Sequence, residues 1–238
     1  MNEVTQHSVC NEALPMACTI VRPAKRSQWT VNSRIKQRVA VIEDTSGSMA
    51  GIKAKQAHAG VQQLNDSLAI PECRNGFYTG VVFFNDDARI VQPWKAAAAL
   101  VGNITPPNPS GYTNIAGAFE KALTMLEKAQ KQDDSQQEYT FLRPVVFFYS
   151  DGQNNRGEDP HSVANKVKAL ADVITIAIGA DADDKLLADL ASSPAHFYKV
   201  TDSSELRKFL ADAGPTITQS FQRGEDATVV TTQLQGNK

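Results

Sequence analysis

Three oxygen-bearing side chains stand at alternate positions in the stretch Asp44-Thr45-Ser46-Gly47-Ser48-Met49. One carboxylate and two hydroxyls form an all-oxygen donor set, which suits a hard divalent cation far better than it suits Zn²⁺ or Cu²⁺. Two further residues extend the set: Thr113, after a proline-rich loop, and Asp151 in Ser150-Asp151-Gly152. Mg²⁺ takes about six oxygens at roughly 2.1 Å and gives up its waters reluctantly. Two carboxylates and three hydroxyls, some acting through water, leave at least one position open. If one carboxylate acts only through water, the ion keeps electrophilic character and favours an anionic sixth ligand. A Glu or Asp side chain from a partner protein is the natural candidate. Mg²⁺ is the expected ion, with Mn²⁺ and Ca²⁺ as alternatives.

These residues need elements to position them. Asp44 ends the apolar run Val39-Ala40-Val41-Ile42, and an amphipathic segment starts near Ile52. The first three donors therefore lie on a loop from strand to helix. In an open α/β sheet that loop lies on the edge where ligands bind. Arg38–Asp44 reads as a strand buried on both faces, because its apolar run is nearly unbroken. Ala57, Val61, Leu64 and Leu68 step by four, three and four, which predicts a helix over Ile52–Ala69, stopped by Pro71. Phe77–Phe84 is the next strand. Asn85-Asp86-Asp87 is a turn, and Ala88–Gln92 pairs back as a hairpin that Pro93 ends. Lys95–Val101 reads as a short alanine-rich helix. The prolines of 105–111 exclude regular structure and deliver Thr113 to a helix over Ile115–Gln130. Lys131–Tyr139 is polar and reads as a surface excursion.

Pro144–Ser150 is another apolar strand, and it too ends at an aspartate, Asp151. Val163, Val167 and Leu170 mark a helix. Val173–Ile178 and His196–Val200 are strands separated by a helix over Lys185–Ser192. Ser203 is an N-cap candidate for a last helix ending near Ala213. Alternating strands and helices with one hairpin predict an α/β fold: a doubly wound, mostly parallel sheet with one antiparallel edge strand and helices on both faces. The expected division is an extension over 1–36, one domain over 37–215 and a polar tail over 216–238. Cys18–Val21 and Trp29–Val31 are candidate strands within the extension.

Composition limits the partners. A net charge of −2 gives no electrostatic case for nucleic acid or an anionic membrane surface. The two locally basic stretches, 22–26 and 34–38, read as solvated flanks. Three cysteines (Cys10, Cys18 and Cys73) are too few and too odd for a disulfide framework, which fits a reducing cytosol; a Cys10–Cys18 bridge in an exported form is the lesser alternative. No signal pattern or membrane-length apolar run stands out, so a cytoplasmic protein is expected. His7, His58, His161 and His196 have no zinc-site spacing, and His58 is expected on an exposed helix face.

Taken singly, the donors have plain readings. Asp and Ser favour turns and helix caps, Thr113 suits an N-cap, and Asp151-Gly152 suits a turn. Asp86 and Asp87 read as a hairpin tip. Tyr112 is either an exposed contact or packing for the proline loop.

As a set, Asp44-x-Ser46-x-Ser48 with Thr113 and Asp151-Gly152 in order resembles the metal-ion-dependent adhesion site (MIDAS) of von Willebrand factor A domains. Phe83-Phe84-Asn85 and Ser110-Gly111-Tyr112-Thr113-Asn114-Ile115 are similar to that family's context. The resemblance covers roughly Gln37–Ala213. It implies that Ser46 and Ser48 bind the ion directly and that Thr113, Asp44 and Asp151 bind directly or through water. It further implies protein–protein contact completed by a partner's carboxylate. Glu43 departs from the pattern, since an apolar residue is commoner there; strand alternation points it away from Asp44, with no ligand role. The strand from Arg143 to Phe147 is similar to stand-alone bacterial A-domain proteins of tellurium-resistance and stress gene clusters, which implies kinase- or phosphatase-like partners.

Two other readings compete with a non-enzymatic module. A Mg²⁺-dependent phosphohydrolase with Asp44 as nucleophile would want a second aspartate two residues on, where Ser46 stands, and a lysine for phosphate. A scaffold that has lost metal dependence is the other. Because the domain buries its own core, removal of residues 1–30 is expected to leave the circular dichroism spectrum and a cooperative melt intact. Loss of the melt would make the extension a structural strand.

Overall fold

The central strand of the sheet is β1 (Ile35–Asp44), buried along nearly its whole length. The computed structural model describes residues 33–73, 75–135 and 138–224; the expected N-terminal strands, and Cys10 and Cys18, lie outside them. β1 begins at Ile35, three residues earlier than predicted. It runs parallel to β2 (Phe77–Phe84) on one side and to β5 (Val145–Ser150) on the other. Beyond β5 come β6 (Asp172–Ile178) and β7 (Phe197–Val200), both parallel. β3 (Ala88–Ala96) closes the other edge antiparallel to β2, and the two-residue β4 (Thr140–Phe141) pairs with the start of β1. The strand order is β3-β2-β1-β5-β6-β7. This is the mixed, mostly parallel sheet expected, and the strand order reverses between β1 and β5.

Helices cover both faces, and strand alternation assigns the side chains. Val39, Val41, Phe147 and Tyr149 face α1 (Ile52–Leu68) and α5 (Ser203–Arg223). Ala40, Ile42 and Phe148 face α2 (Ile115–Ser135), α3 (His161–Leu170) and α4 (Asp184–Leu190). Gly214 lets α5 approach α1: a Cβ there would lie 2.5 Å from the Cβ of Ser67.

Several boundaries differ from expectation, each for a tertiary reason. β3 continues through Pro93 to Ala96, because an edge strand tolerates a missing N–H, and its pairing with β2 is irregular near Thr79 and Val81. Only Ala97–Ala99 is helical in the alanine-rich stretch, as a single 3-10 turn; propensity alone does not sustain so short a helix. α2 runs on to Ser135, and its last turn is tied to the sheet by a two-armed ion pair of Asp133 with Arg38. Arg38, read as a solvated flank, is therefore buried, with its guanidinium 4.0 Å from the Phe141 ring centroid. Asp202, not Ser203, caps α5, accepting from the backbone N–H groups of Ser204 (2.7 Å) and Glu205 (3.0 Å). α5 then passes through Pro215 to Arg223, where the sequence predicted a helix ending near Ala213 and a polar tail from 216. An internal proline costs about 3 kcal/mol. Burying Ile217 and Phe221 contributes about 1.5–3 kcal/mol each, which offsets that cost; Phe221 packs on Phe77 at 4.4 Å.

Glu43 faces the α1/α5 core, away from Asp44 as expected, and is fully buried. Desolvation pushes its carboxyl up from 4.5 to about 8; the hydroxyl of Tyr149, opposite it on β5, opposes the rise, and the charge of Asp44 adds to it. A raised carboxyl pKa means the folded chain holds a proton that the unfolded chain releases. The stability it contributes is complete below about 4.5 and is lost as the pH rises through about 8. Without divalent metal, the melting temperature is therefore expected to fall across that window, and Glu43→Gln to flatten the fall. An equal slope in Glu43→Gln would contradict the assignment.

Candidate metal centre

The reversal of strand order opens a crevice at the C-terminal ends of β1 and β5, and the residues singled out above meet there. Asp44 is the last residue of β1, and Asp151 directly follows β5. Ser46 and Ser48 lie on the loop out of β1. That loop is pinned by Thr45, whose N–H and hydroxyl both donate to the Phe84 carbonyl at the end of β2 (2.8 and 2.9 Å). It is also laced to the proline-rich loop: Ser110 N–H donates to Thr45 O (2.9 Å), and Gly47 N–H to Gly111 O (3.0 Å). Gly111 has φ +76°, and a Cβ there would lie 1.8 Å from Asp86 Oδ2, so only glycine fits this close pass.

One hydrogen-bonded chain joins four of the five donors. Ser46 N–H donates to Asp44 Oδ1 (2.8 Å). The Ser46 and Ser48 hydroxyls lie 3.0 Å apart, and Ser48 donates to Asp151 Oδ1 (2.6 Å). Thr113 lies close by: a Cβ on Gly152 would lie 3.4 Å from Thr113 Oγ1 and 4.0 Å from Ser48 Oγ. Thr113 itself is held by Asn155, whose Oδ1 accepts from the Thr113 N–H (2.8 Å). Asn154 caps the start of α2 from across the loop, accepting from Ile115 N–H (3.0 Å). Asp44, Ser46, Thr113 and Asp151 are buried, while Ser48 is exposed. Tyr112 (58% exposed) and Ile52 (66% exposed) flank Thr113 and α1 at this edge, so Tyr112 is a surface residue rather than packing.

The electrostatics are those of crowded, buried anions. Burial raises the Asp44 carboxyl to about 6; hydrogen bonds from Ser150 and Ser46 oppose the rise, and the charge of Asp151 adds to it. Ser150 Oγ donates to Asp44 Oδ2, and the Lys53 ammonium pairs with Asp151 Oδ2. A positive charge is thus already accommodated beside the cluster. Among the described residues, no group of three or more His, Cys, Asp or Glu side chains could hold a metal. Any cation here would rest on hydroxyls with two carboxylates, a hard-oxygen set that fits Mg²⁺, Mn²⁺ or Ca²⁺.

Sequence reasoning missed the supporting residues Lys53, Ser150, Asn154 and Asn155. Ser150 carried the best signal, since it stands at a strand end next to Asp151. Asp86, read as a hairpin tip, also meets Arg156 at 3.2 Å and so ties the tip to the loop after β5. His58 is half-buried rather than exposed.

Known proteins resemble this chain to differing extents. The model of the von Willebrand factor type A domain matches residues 39–212. Inter-alpha-trypsin inhibitor heavy chain H2 of Mus musculus is 27% identical over 223 residues, which is 85% of this chain and 22% of that protein. The chain thus spans about a fifth of the length of that relative. Among solved structures, proximal thread matrix protein 1 from the mussel byssus, with a zinc-occupied MIDAS motif, aligns with TM-score 0.58 and 21% identity over 79% of this chain and 47% of that one. The domain of the type V pili tip protein Mfa5 from Porphyromonas gingivalis aligns with TM-score 0.63 and 13% identity over 81% of this chain and 98% of that one. With the family's model matched from the middle of β1 to the middle of α5, the chain belongs to the von Willebrand factor type A domain family.

Proposed function

We propose that this chain is a metal-dependent protein–protein interaction module. Asp44, Ser46, Ser48, Thr113 and Asp151 hold the divalent cation, and a partner protein presents a Glu or Asp to it. The observation that carries this reading is the meeting of two carboxylates and three hydroxyls at the open end of β1 and β5. When bound, the ion supplies an electrophilic position for a carboxylate oxygen. The chain's own residues do the rest. The β-strand ends fix the two aspartates, and the hydrogen-bonded loops hold the hydroxyls. Tyr112 and Ile52 offer exposed apolar area beside the site, which suits a partner whose acidic residue is flanked by apolar side chains. Hard oxygen donors favour Mg²⁺. Because a mussel-byssus neighbour holds zinc in its MIDAS motif, Zn²⁺ belongs in the same titrations.

Catalysis is the weaker reading. As a phosphohydrolase nucleophile, Asp44 is poorly placed: it is 1% exposed, and both its oxygens already accept hydrogen bonds. Mg²⁺-dependent turnover of p-nitrophenyl phosphate that is lost in Asp44→Asn would overturn the module reading. The finer assignment is a cytoplasmic bacterial stress-response complex with kinase- or phosphatase-like partners. It draws on the similarity of the Arg143–Phe147 strand to tellurium-resistance proteins and on the sparse cysteines. Arg143 also has a local duty, donating to Lys168 O (2.6 Å) and Ala171 O (3.1 Å) at the end of α3. Among the described residues, no helix is long and apolar enough to cross a membrane.

Affinity capture from the native lysate is expected to recover partners with Mg²⁺ and wild-type protein only, not with EDTA, Asp44→Ala or Ser48→Ala, while circular dichroism stays unchanged in both variants. Identical recovery in every condition would favour a metal-independent scaffold. Protons compete with the cation for Asp44, so Mg²⁺ affinity is expected to fall as the pH drops through about 6. A pH-independent affinity over that range would contradict the role of Asp44.

A further inference from the structure

Lys53 is the second residue of α1, and its ammonium is paired with Asp151. The lysine side chain is 43% exposed, the aspartate almost completely buried. Helix physics does not explain this placement. A cation at a helix N-terminus faces the positive end of the helix dipole. The first turn of α1 has no acidic residue to offset it, and Lys55 adds a second cation there. The carboxylate of Asp151 is what holds Lys53 in place. Ser48 donates to the other oxygen of that carboxylate, so both Asp151 oxygens are engaged.

Asp44 and Asp151, both ionised, would neutralise a divalent cation. Lys53 cancels one of those charges from outside, which leaves the metal-loaded cluster with one net positive charge. Before loading, the lysine leaves the cluster one net negative charge instead of two and so weakens its pull on the incoming cation; after loading, the net positive charge attracts a further anion, both by Coulomb interaction over a few ångströms.

We propose that Lys53 is a positioning residue that keeps Asp151 from fully neutralising a bound divalent ion, so that cation affinity is traded for affinity toward a partner's carboxylate. This rests on the metal-dependent reading above.

The test uses the full chain as wild type, Lys53→Met, Lys53→Arg and Asp44→Ala. Mg²⁺ is titrated calorimetrically at neutral pH. Acetate is then titrated into the Mn²⁺-loaded protein, and its binding is read from water-proton relaxation. Lys53→Met keeps the aliphatic stem and removes the charge. It is expected to bind Mg²⁺ about 3- to 10-fold more tightly, and acetate more weakly by a similar factor. Lys53→Arg, which keeps the charge, is expected to match wild type in both, and all variants to melt cooperatively. A merely structural lysine would not move the two affinities in opposite directions. If wild type binds Mg²⁺ and Lys53→Met binds it equally or more weakly, or if acetate affinity does not fall, this proposal is overturned alone. If wild type binds no Mg²⁺, or Asp44→Ala binds it as well as wild type does, the metal reading falls and this proposal with it.

Discussion

Two buried carboxylates at the ends of neighbouring strands are the constraint that the rest of this edge answers. Asp44 and Asp151 come from β1 and β5, strands that lie side by side at the point where the sheet reverses its order. Like charges that close, with little water around them, oppose each other's ionisation, and the charge of Asp151 adds to the raised pKa of Asp44. The surroundings supply partial compensation: the Ser46 N–H and Ser150 hydroxyl on one carboxylate, the Ser48 hydroxyl and Lys53 ammonium on the other. A divalent cation would complete that compensation, and the three hydroxyls lie where they could share in holding it.

The sheet can carry such a cluster because its stability comes from elsewhere. β1 and β5 are buried on both faces by two separate layers of helices. α5 keeps its helix through Pro215 because Ile217 and Phe221 are buried beyond it. The far end of the sheet is tied by Arg38 with Asp133 and by Arg143 with Asp172 and the end of α3. Removing a hydroxyl such as that of Ser48 from the rim takes nothing from these layers. The proposed recognition edge and the ion pairs that tie the far end are thus placed at different ends of the strands.

Much of this was legible in the sequence, because a parallel sheet writes its central strands as unbroken apolar runs. Phe77–Phe84 is read to the residue, and β1 and β5 end where their runs end. That the five oxygen-bearing residues meet at one edge was legible for the same reason, since each ends or follows a strand or precedes a helix. Contacts made only in three dimensions were not. Pro93 and Pro215 carry a local stop signal that an edge position and buried residues farther on override. Arg38 looks like a solvated charge until the end of α2 brings Asp133 to it. Lys53 is an ordinary helix residue in the sequence, and only the meeting of α1 with the end of β5 shows its partner.

The most direct measurement is an anomalous-scattering experiment on crystals of the full chain grown with Mn²⁺, as wild type and Asp44→Ala. One strong anomalous peak is expected in wild type, about 2.1 Å from the Ser46 and Ser48 hydroxyl oxygens and next to Asp44, Thr113 and Asp151. No peak is expected there in Asp44→Ala. Ordered wild-type crystals without a peak at this edge, or with the ion held elsewhere, would contradict a metal site built from these five residues.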